Sequence, residues 1–299
     1  MKEIIERTLR DRLSYLLNEK NARTIDPTFD ELERKKQLFQ KRQVQIVKAK
    51  IKVKLGESTF DDDGSNHVRY KVHSEYLCND KDHLYIEEQI EERTALFYGQ
   101  MLINDSKVEI PFHQPLRSDG MVMADFSRND LGRAFTYDRL AAVQYAEKWW
   151  NKRNSAYKNF DDNCTNFISQ CLHAGSAPMR GYPNRGSGWW MQNHSWSYSW
   201  TVAHSMKSFL GRSKAGLRAE KTSSPEDLSL GDVVCYDFEG DGRYNHTTIV
   251  VAKDKMGMPL VNAQTYDSRM RYWSYEDSTA YTPSIKYTFY KIIDDTSKK

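Results

Sequence analysis

Asp161-Asp162-Asn163-Cys164-Thr165-Asn166-Phe167-Ile168-Ser169-Gln170-Cys171 runs from a polar loop into a helix. Asp161, Asp162 and Asn163 are residue types whose side-chain oxygens accept the free N–H groups of a helix's first turn. Phe167, Ile168, Cys171 and Leu172 recur after Cys164 at the spacing of one helix face, and that face is apolar. Gly175 is the expected stop. Cys164 therefore heads a short helix, where unbonded N–H groups and the helix dipole favour a thiolate. A thiolate is the form in which cysteine acts as a nucleophile. Cys171, two turns further on, reads as a small buried hydrophobe.

Downstream the period changes to that of strands. Leu230-Gly231-Asp232-Val233-Val234-Cys235-Tyr236 is a turn and strand, Glu239-Gly240-Asp241-Gly242 a hairpin loop, and His246-Thr247-Thr248-Ile249-Val250-Val251 a β-branched strand. Leu260 to Thr265 is a third strand, and Tyr287 to Ile293 closes the sheet. A thiol nucleophile needs a base, and the base needs a group to orient it. His246, at the head of its strand, is the candidate base. Asn262 and Gln264 lie two apart on the next strand and share a side, so either amide oxygen can accept an imidazole N–H. Asp237-Phe238-Glu239-Gly240-Asp241-Gly242 imitates the start of a calcium loop, but its twelfth position is Thr248 rather than glutamate, and it reads as a turn.

Upstream of the cysteine, Tyr137 to Lys152 is a helix with Leu140, Val143, Ala146 and Trp150 inward. After the cysteine helix, residues 178–200 form a long loop carrying Trp189, Trp190, Trp196 and Trp200. Such aromatics either line a groove for sugar or peptide or pack the loop itself. A helix follows from Val202 to Leu210.

The first half has a different character. Residues 1 to about 22 and 28 to about 48 read as helices, the second highly charged. Strands follow around Ile51–Leu55, at 67–78 and at 83–98. A short hairpin is expected to turn at Asn104-Asp105-Ser106, flanked by Met101–Ile103 and Val108–Ile110. Helices followed by an antiparallel meander make an α+β module, similar in shape to cystatin or NTF2-type domains. Pro111 to Arg133 reads as a linker, and all seven tryptophans follow it. The expected division is 1–130, the α+β module, and 131–299, the cysteine-bearing domain.

Composition narrows the function. The 299 residues are 39% hydrophobic with a net charge of +3, which does not suggest a nucleic-acid binder. Mean hydropathy is -0.78, and no run approaches the ~18 apolar residues that span a bilayer. The start is a charged helical pattern without the apolar centre of a secretory signal. As written this implies a cytoplasmic protein, with secretion or cell-wall action open if a signal was removed. The four cysteines form no C-x-x-C pair or Cys/His ligand set, so free thiols, no metal and no cofactor are expected.

Asp162-Asn163-Cys164-Thr165-Asn166-Phe167-Ile168-Ser169-Gln170, with Leu230–Val234 and Asn245–Val251, resembles the bacterial putative amidase domain family, related to CHAP and NlpC-type papain-like hydrolases. The resemblance covers about residues 135–290. It implies a papain-like domain of helices packed on an antiparallel sheet, with Cys164 as nucleophile, His246 as base and the third polar group around Asn262 and Gln264. The backbone N–H of Cys164, with Asn163 as a second donor, would then hold the oxyanion. Two departures stand out: Asp162-Asn163 where the family usually has Gly-Asp, and Gln264-Thr265 where it often has His-Thr. The implied activity is cysteine-dependent hydrolysis of a peptide or peptidoglycan-type amide. The alternatives are a transamidase with the same residues and a catalytically degenerate domain within a protein-binding scaffold.

Overall fold

The computed structural model describes residues 1–18, 29–108 and 135–296. In chain order these contain α1 (Lys2–Leu16), α2 (Phe29–Lys41), β1 (Gln45–Phe60), β2 (Ser65–Asp80), β3 (His83–Tyr98), β4 (Met101–Lys107), α3 (Arg139–Trp149) and α4 (Cys164–Ala174). Then come β5 (Met191–Gln192), β6 (Ser195–Trp196), α5 (Tyr198–Thr201), α6 (Ala203–Arg212), β7 (Arg218–Thr222), β8 (Val233–Asp237), β9 (His246–Lys253), β10 (Pro259–Ala263), β11 (Ser268–Tyr272) and β12 (Lys286–Ile293). No helix among the described residues is long and apolar enough to cross a membrane.

The chain divides into two compact units: Met1–Glu109 with Tyr266–Tyr281, and Ile110–Thr265 with Thr282–Lys299. The boundary expected near residue 130 lies outside the described residues. Tyr266–Tyr281, expected within the second domain, groups by its contacts with the first unit.

In the first unit β1, β2 and β3 are long antiparallel strands in that order. The far side of β3 is shared between β4, along Arg93–Tyr98, and β11, at Glu88 and Gln89. Alternate residues of β2 are buried, as the two-residue period of a strand requires. Val68, Tyr70 and Val72 pack with Ala95 and Phe97 of β3 against Ile5 and Leu9 of α1.

The hairpin expected around Asn104-Asp105-Ser106 does not form: β4 runs through it. The reason is electrostatic. The buried Asp105 carboxylate accepts hydrogen bonds from Tyr70 Oη at 2.8 Å and Arg93 Nε at 3.2 Å and pairs with Arg12 at 2.9 Å. Those partners hold it inside rather than at a turn.

A second buried ionic group fastens the 266–281 segment into this unit. Lys35 Nζ lies 2.7 Å from Glu87 and 3.1 Å from Asp277, and Arg271 Nη2 lies 2.8 Å from Asp277. Burial alone would raise the Asp277 carboxyl, but the adjacent Arg271 and Lys35 charges hold it well below its ordinary range. Its stabilising contribution is therefore present above the ordinary aspartate value of ~3.9 and is lost as pH falls below it. Removing one partner of such a buried pair costs ~3–5 kcal/mol. Asp277→Ala is expected to destabilise the first unit by that amount in urea unfolding at pH 7. A change near zero would show the group to be structurally idle.

The second unit has an antiparallel sheet in the order β10-β9-β8-β12-β7. Helices α3, α4 and α6 pack against it. Contacts fix which face they cover. Asn262 of β10 donates to Glu147 of α3 at 2.8 Å, Thr247 of β9 meets Thr165 of α4 at 3.2 Å, and Tyr290 of β12 donates to the Lys207 carbonyl of α6 at 2.8 Å. At the end of α4, Gly175 is required by space rather than by a left-handed turn: a Cβ there would lie 2.4 Å from the Tyr137 ring. Leu140, read as inward, is exposed, whereas Ala146 and Trp150 are buried as expected and Ala142 joins them.

Candidate active site

Every residue from Cys164 to Leu172 is buried, so α4 is a core helix and its polar residues must all find partners. They do, and the tryptophan loop supplies those of Ser169 and one of those of Asn166. Trp200 Nε1 donates to Asn166 Oδ1 at 2.8 Å, Trp189 Nε1 donates to Ser169 Oγ at 3.0 Å, and Ser169 Oγ donates to the Trp200 carbonyl at 2.9 Å. Tyr145 of α3 donates to Gln170 at 2.7 Å. One face of the helix is apolar and the opposite face is a row of sockets for indole N–H groups.

This answers the question the tryptophans left open. Trp189, Trp190 and Trp200 are fully buried, and the rings of Trp189 and Trp200 lie 4.6 Å apart. Trp189 and Trp200 pack the loop onto α4 and Trp190 packs within the loop against Tyr182, so the groove reading does not hold for these three. Trp196 differs: it is half-buried, edge-on to Phe160 at 5.0 Å, with the Arg185 guanidinium 5.2 Å from its ring. Phe160 belongs to the loop that leads into Cys164.

The start of α4 is capped from outside the helix. The N-cap residue Asn163 makes no side-chain capping bond, contrary to the sequence reading. Its Oδ1 accepts from Asn166 Nδ2 at 2.8 Å and the Phe160 N–H at 3.1 Å, and its Nδ2 donates to Gln264 Oε1. The cap is Thr265, just past β10. Its hydroxyl oxygen accepts the backbone N–H of Asn163 at 2.8 Å and of Cys164 at 2.9 Å. The two oxyanion donors expected from sequence, the Cys164 N–H and the Asn163 side chain, are thus both engaged within the protein.

Cys164 is 2% exposed. Its thiol donates to Asp162 Oδ1 at 3.4 Å and lies 3.6 Å from Thr165 Oγ1. Burial, and then the Asp162 charge, push the thiol well above its ordinary value; hydrogen bonds from Thr165 and the Thr247 backbone oppose this without prevailing. The expectation of a thiolate at the helix mouth is therefore reversed in this conformation. The dipole contributes only about 1 kcal/mol at a helix end, and desolvation beside a carboxylate exceeds it. Iodoacetamide at neutral pH is expected to label Cys164 slowly, with the rate climbing only above the ordinary thiol value of 9.0. Mass-resolved labelling checks this; rapid selective labelling at pH 7 would contradict it.

His246 is buried at 2% exposure at the head of β9. Its ring lies 5.6 Å from Tyr236 and 6.1 Å from Phe238. Tyr236 is its cross-strand partner, and Tyr236 Oη is 3.1 Å from Thr248 Oγ1, so His246, Tyr236 and Thr248 share one face. Thr247 points to the other, where Thr165 and Cys164 lie. The strand that carries His246 thus reaches the cysteine through the next residue, while the imidazole is directed to the opposite face.

Asn262, paired with Ile249, lies on the helix side and donates to Glu147. Gln264 Nε2 donates to the carbonyls of Trp149 at 2.6 Å and Lys152 at 2.8 Å. The two amides brace α3 and the α4 start rather than facing the imidazole. The structure brings together Asp162, Asn163, Cys164, Thr247, Gln264 and Thr265. The sequence reading did not single out Asp162 or Thr265 as site residues, although the Gln264-Thr265 departure pointed at the place.

All four cysteines are buried free thiols. Among the described residues, His73, Glu75 and Glu88 have metal-ligand spacing. Lys52 pairs with Glu75 at 2.6 Å and Arg269 with Glu88 at 2.9 Å, and His73 Nε2 is 2.8 Å from Glu88. The two carboxylates are already neutralised by protein cations, and this group carries no reading as a metal centre.

Comparison with known proteins gives one family. The putative amidase domain matches residues 136–290. The chain is 60% identical over 305 residues to "Uncharacterized protein YhbB" of Bacillus subtilis (strain 168), covering 100% of this chain and 98% of that protein. It is 32% identical over 176 residues to "Uncharacterized protein YjcM" of the same organism, covering 53% of this chain and 39% of that protein. No solved structure matches.

Proposed function

Because the chain belongs to the putative amidase domain family, a membership that suggests a hydrolase, we propose that it hydrolyses a peptide or peptidoglycan-type amide with Cys164 as the nucleophile. The observation that carries this reading is the placement of Cys164 at the first turn of a buried helix, against the strand headed by His246 and beside a carboxylate. A merely structural cysteine needs none of these neighbours.

The chemistry proceeds in two halves. The Cys164 sulfur gives up its proton and attacks the amide carbon, and the carbonyl π electrons move to oxygen. Collapse of that oxyanion breaks the C–N bond, and the amine leaves with a proton from His246. Water then attacks the thioester, giving the carboxylic acid and restoring the thiol. The resting conformation holds the thiol proton at Asp162, and the His246 ring must turn past the head of β9 to receive it. Trp196 and Phe160 form the outer aromatic surface for the substrate, next to the loop that leads into Cys164. A papain-like arrangement of the second unit and a working division near residue 130 belong to the same proposal.

The test is product analysis. The full chain is incubated with muropeptides and simple peptide amides, and the new amine and acid are identified by mass spectrometry. Transfer to an added amine instead of water would identify a transamidase. A second reading, a domain that binds without cleaving, draws on the closed state of the site: buried sulfur, engaged N–H groups and an imidazole on the other face. Binding without product from every amide offered would favour it.

A further inference from the structure

Thr265 is the sharpest irregularity near the cysteine. Its φ is +84°, in a region that β-branched residues rarely enter because Cβ crowds the carbonyl oxygen. Strain of this kind persists only where surrounding bonds over-determine it, and it clusters at sites that must change state. Three bonds hold the Thr265 side chain. Its oxygen accepts the N–H groups of Asn163 and Cys164, and its proton goes to Asp162 Oδ1 at 3.1 Å. The same carboxylate oxygen accepts the Cys164 thiol.

An acyl-transfer enzyme places backbone N–H donors where the oxyanion forms, and the N–H of the nucleophile itself is a common member of that set. Here that N–H and its neighbour converge on a single hydroxyl oxygen. We infer that Thr265 is a positioning residue whose hydroxyl occupies the oxyanion pocket of the resting site, and that an acyl carbonyl oxygen must take its place before Cys164 can react. The identity of the incoming ligand rests on the amidase reading; the occupied pocket does not.

The exchange is chemically conservative. A carbonyl oxygen accepts the same two hydrogen bonds a hydroxyl oxygen accepts. Once displaced, Thr265 is free to leave its strained backbone conformation. Asp162 loses one donor and becomes a better acceptor for the thiol proton. The site would thus open and activate in one step, on contact with an amide and not before.

The test is the pH profile of iodoacetamide alkylation at Cys164 in the full chain, resolved by peptide mass mapping, for wild type, Thr265→Ser, Thr265→Ala and Thr265→Gly. Thr265→Ser keeps the hydroxyl and is expected to match wild type. Thr265→Ala and Thr265→Gly free the two N–H groups, and the profile is expected to move at least one pH unit lower, a rate gain of about tenfold on its rising limb. Cys171 and Cys235 should stay unlabelled, which reports an intact fold. An unchanged or slower profile in folded Thr265→Ala or Thr265→Gly would overturn the inference and leave Thr265 a helix cap. Unfolding of both variants, seen as labelling of all four cysteines, would equally overturn it, because a hydroxyl required for folding is not one a substrate displaces. Alkylation does not depend on whether any amide is cleaved, so failure here and failure of the amidase reading are read separately.

Discussion

Cys164→Ala is expected to abolish the proposed hydrolysis while leaving the fold in place. Removal of a nucleophile from a cooperating set costs at least ~10³-fold in turnover, against a background set by whatever binding the site retains. The fold should survive because truncating this buried thiol to a methyl group removes a single heavy atom. The thiol's described partners are Asp162 and Thr165, with the Thr247 backbone beside it, and Thr265 still caps the helix through backbone N–H groups that alanine also has. The check is the product assay together with thermal unfolding: no product and an unchanged midpoint. Product formed at the wild-type rate would end the cysteine mechanism. His246→Ala belongs in the same experiment. If the imidazole swings to the cysteine during turnover, His246→Ala should lose as much activity as Cys164→Ala, because the two act as a unit. A small loss would leave Asp162, already in contact with the thiol, as the proton acceptor.

Trp200→Ala should be among the most destabilising single substitutions in the second unit, at ~3–5 kcal/mol. The ring is fully buried, stacked on Tyr157 at 6.0 Å and 4.6 Å from the ring of Trp189. Its truncation leaves a large cavity and strips Asn166 Oδ1 of the indole donor 2.8 Å away; an unsatisfied buried acceptor costs a further ~1–3 kcal/mol. Trp196→Ala is the contrasting substitution. That ring is half-buried and meets Phe160 and Arg185 at the surface, so its loss should raise KM several-fold and barely move the unfolding midpoint. The pair separates packing from recognition. A stable Trp200→Ala protein with weakened substrate binding would restore the groove reading for the buried tryptophans.

Much of the local structure was legible in the residue pattern. The apolar spacing of Phe167, Ile168, Cys171 and Leu172 gives α4, and the β-branched runs give β8 and β9, because helix and strand periods are properties of neighbouring residues. The alternation that buries Val68, Tyr70 and Val72 was visible for the same reason. The strand pair β5–β6 in the tryptophan loop was not, because each strand is only two residues long, and strand β11 was not, because its partner β3 is distant in the chain.

At the candidate site the division is similar. The sequence by itself determined which residues can do chemistry and that Cys164 heads a helix. Only the tertiary structure decided the state of that chemistry. Burial beside Asp162 outweighs the helix dipole and keeps the thiol protonated, since desolvation depends on what surrounds a group rather than on its place in the helix. A threonine about a hundred residues downstream supplies the cap that Asn163 was expected to give. The side of the sheet that His246 faces was set by strand register, which shifts by whole residues and turns a side chain over at each step. Three tryptophans for which groove lining and loop packing were both open are inside, because Asn166 and Ser169 of α4 satisfy the N–H groups of two of them and loop carbonyls that of the third.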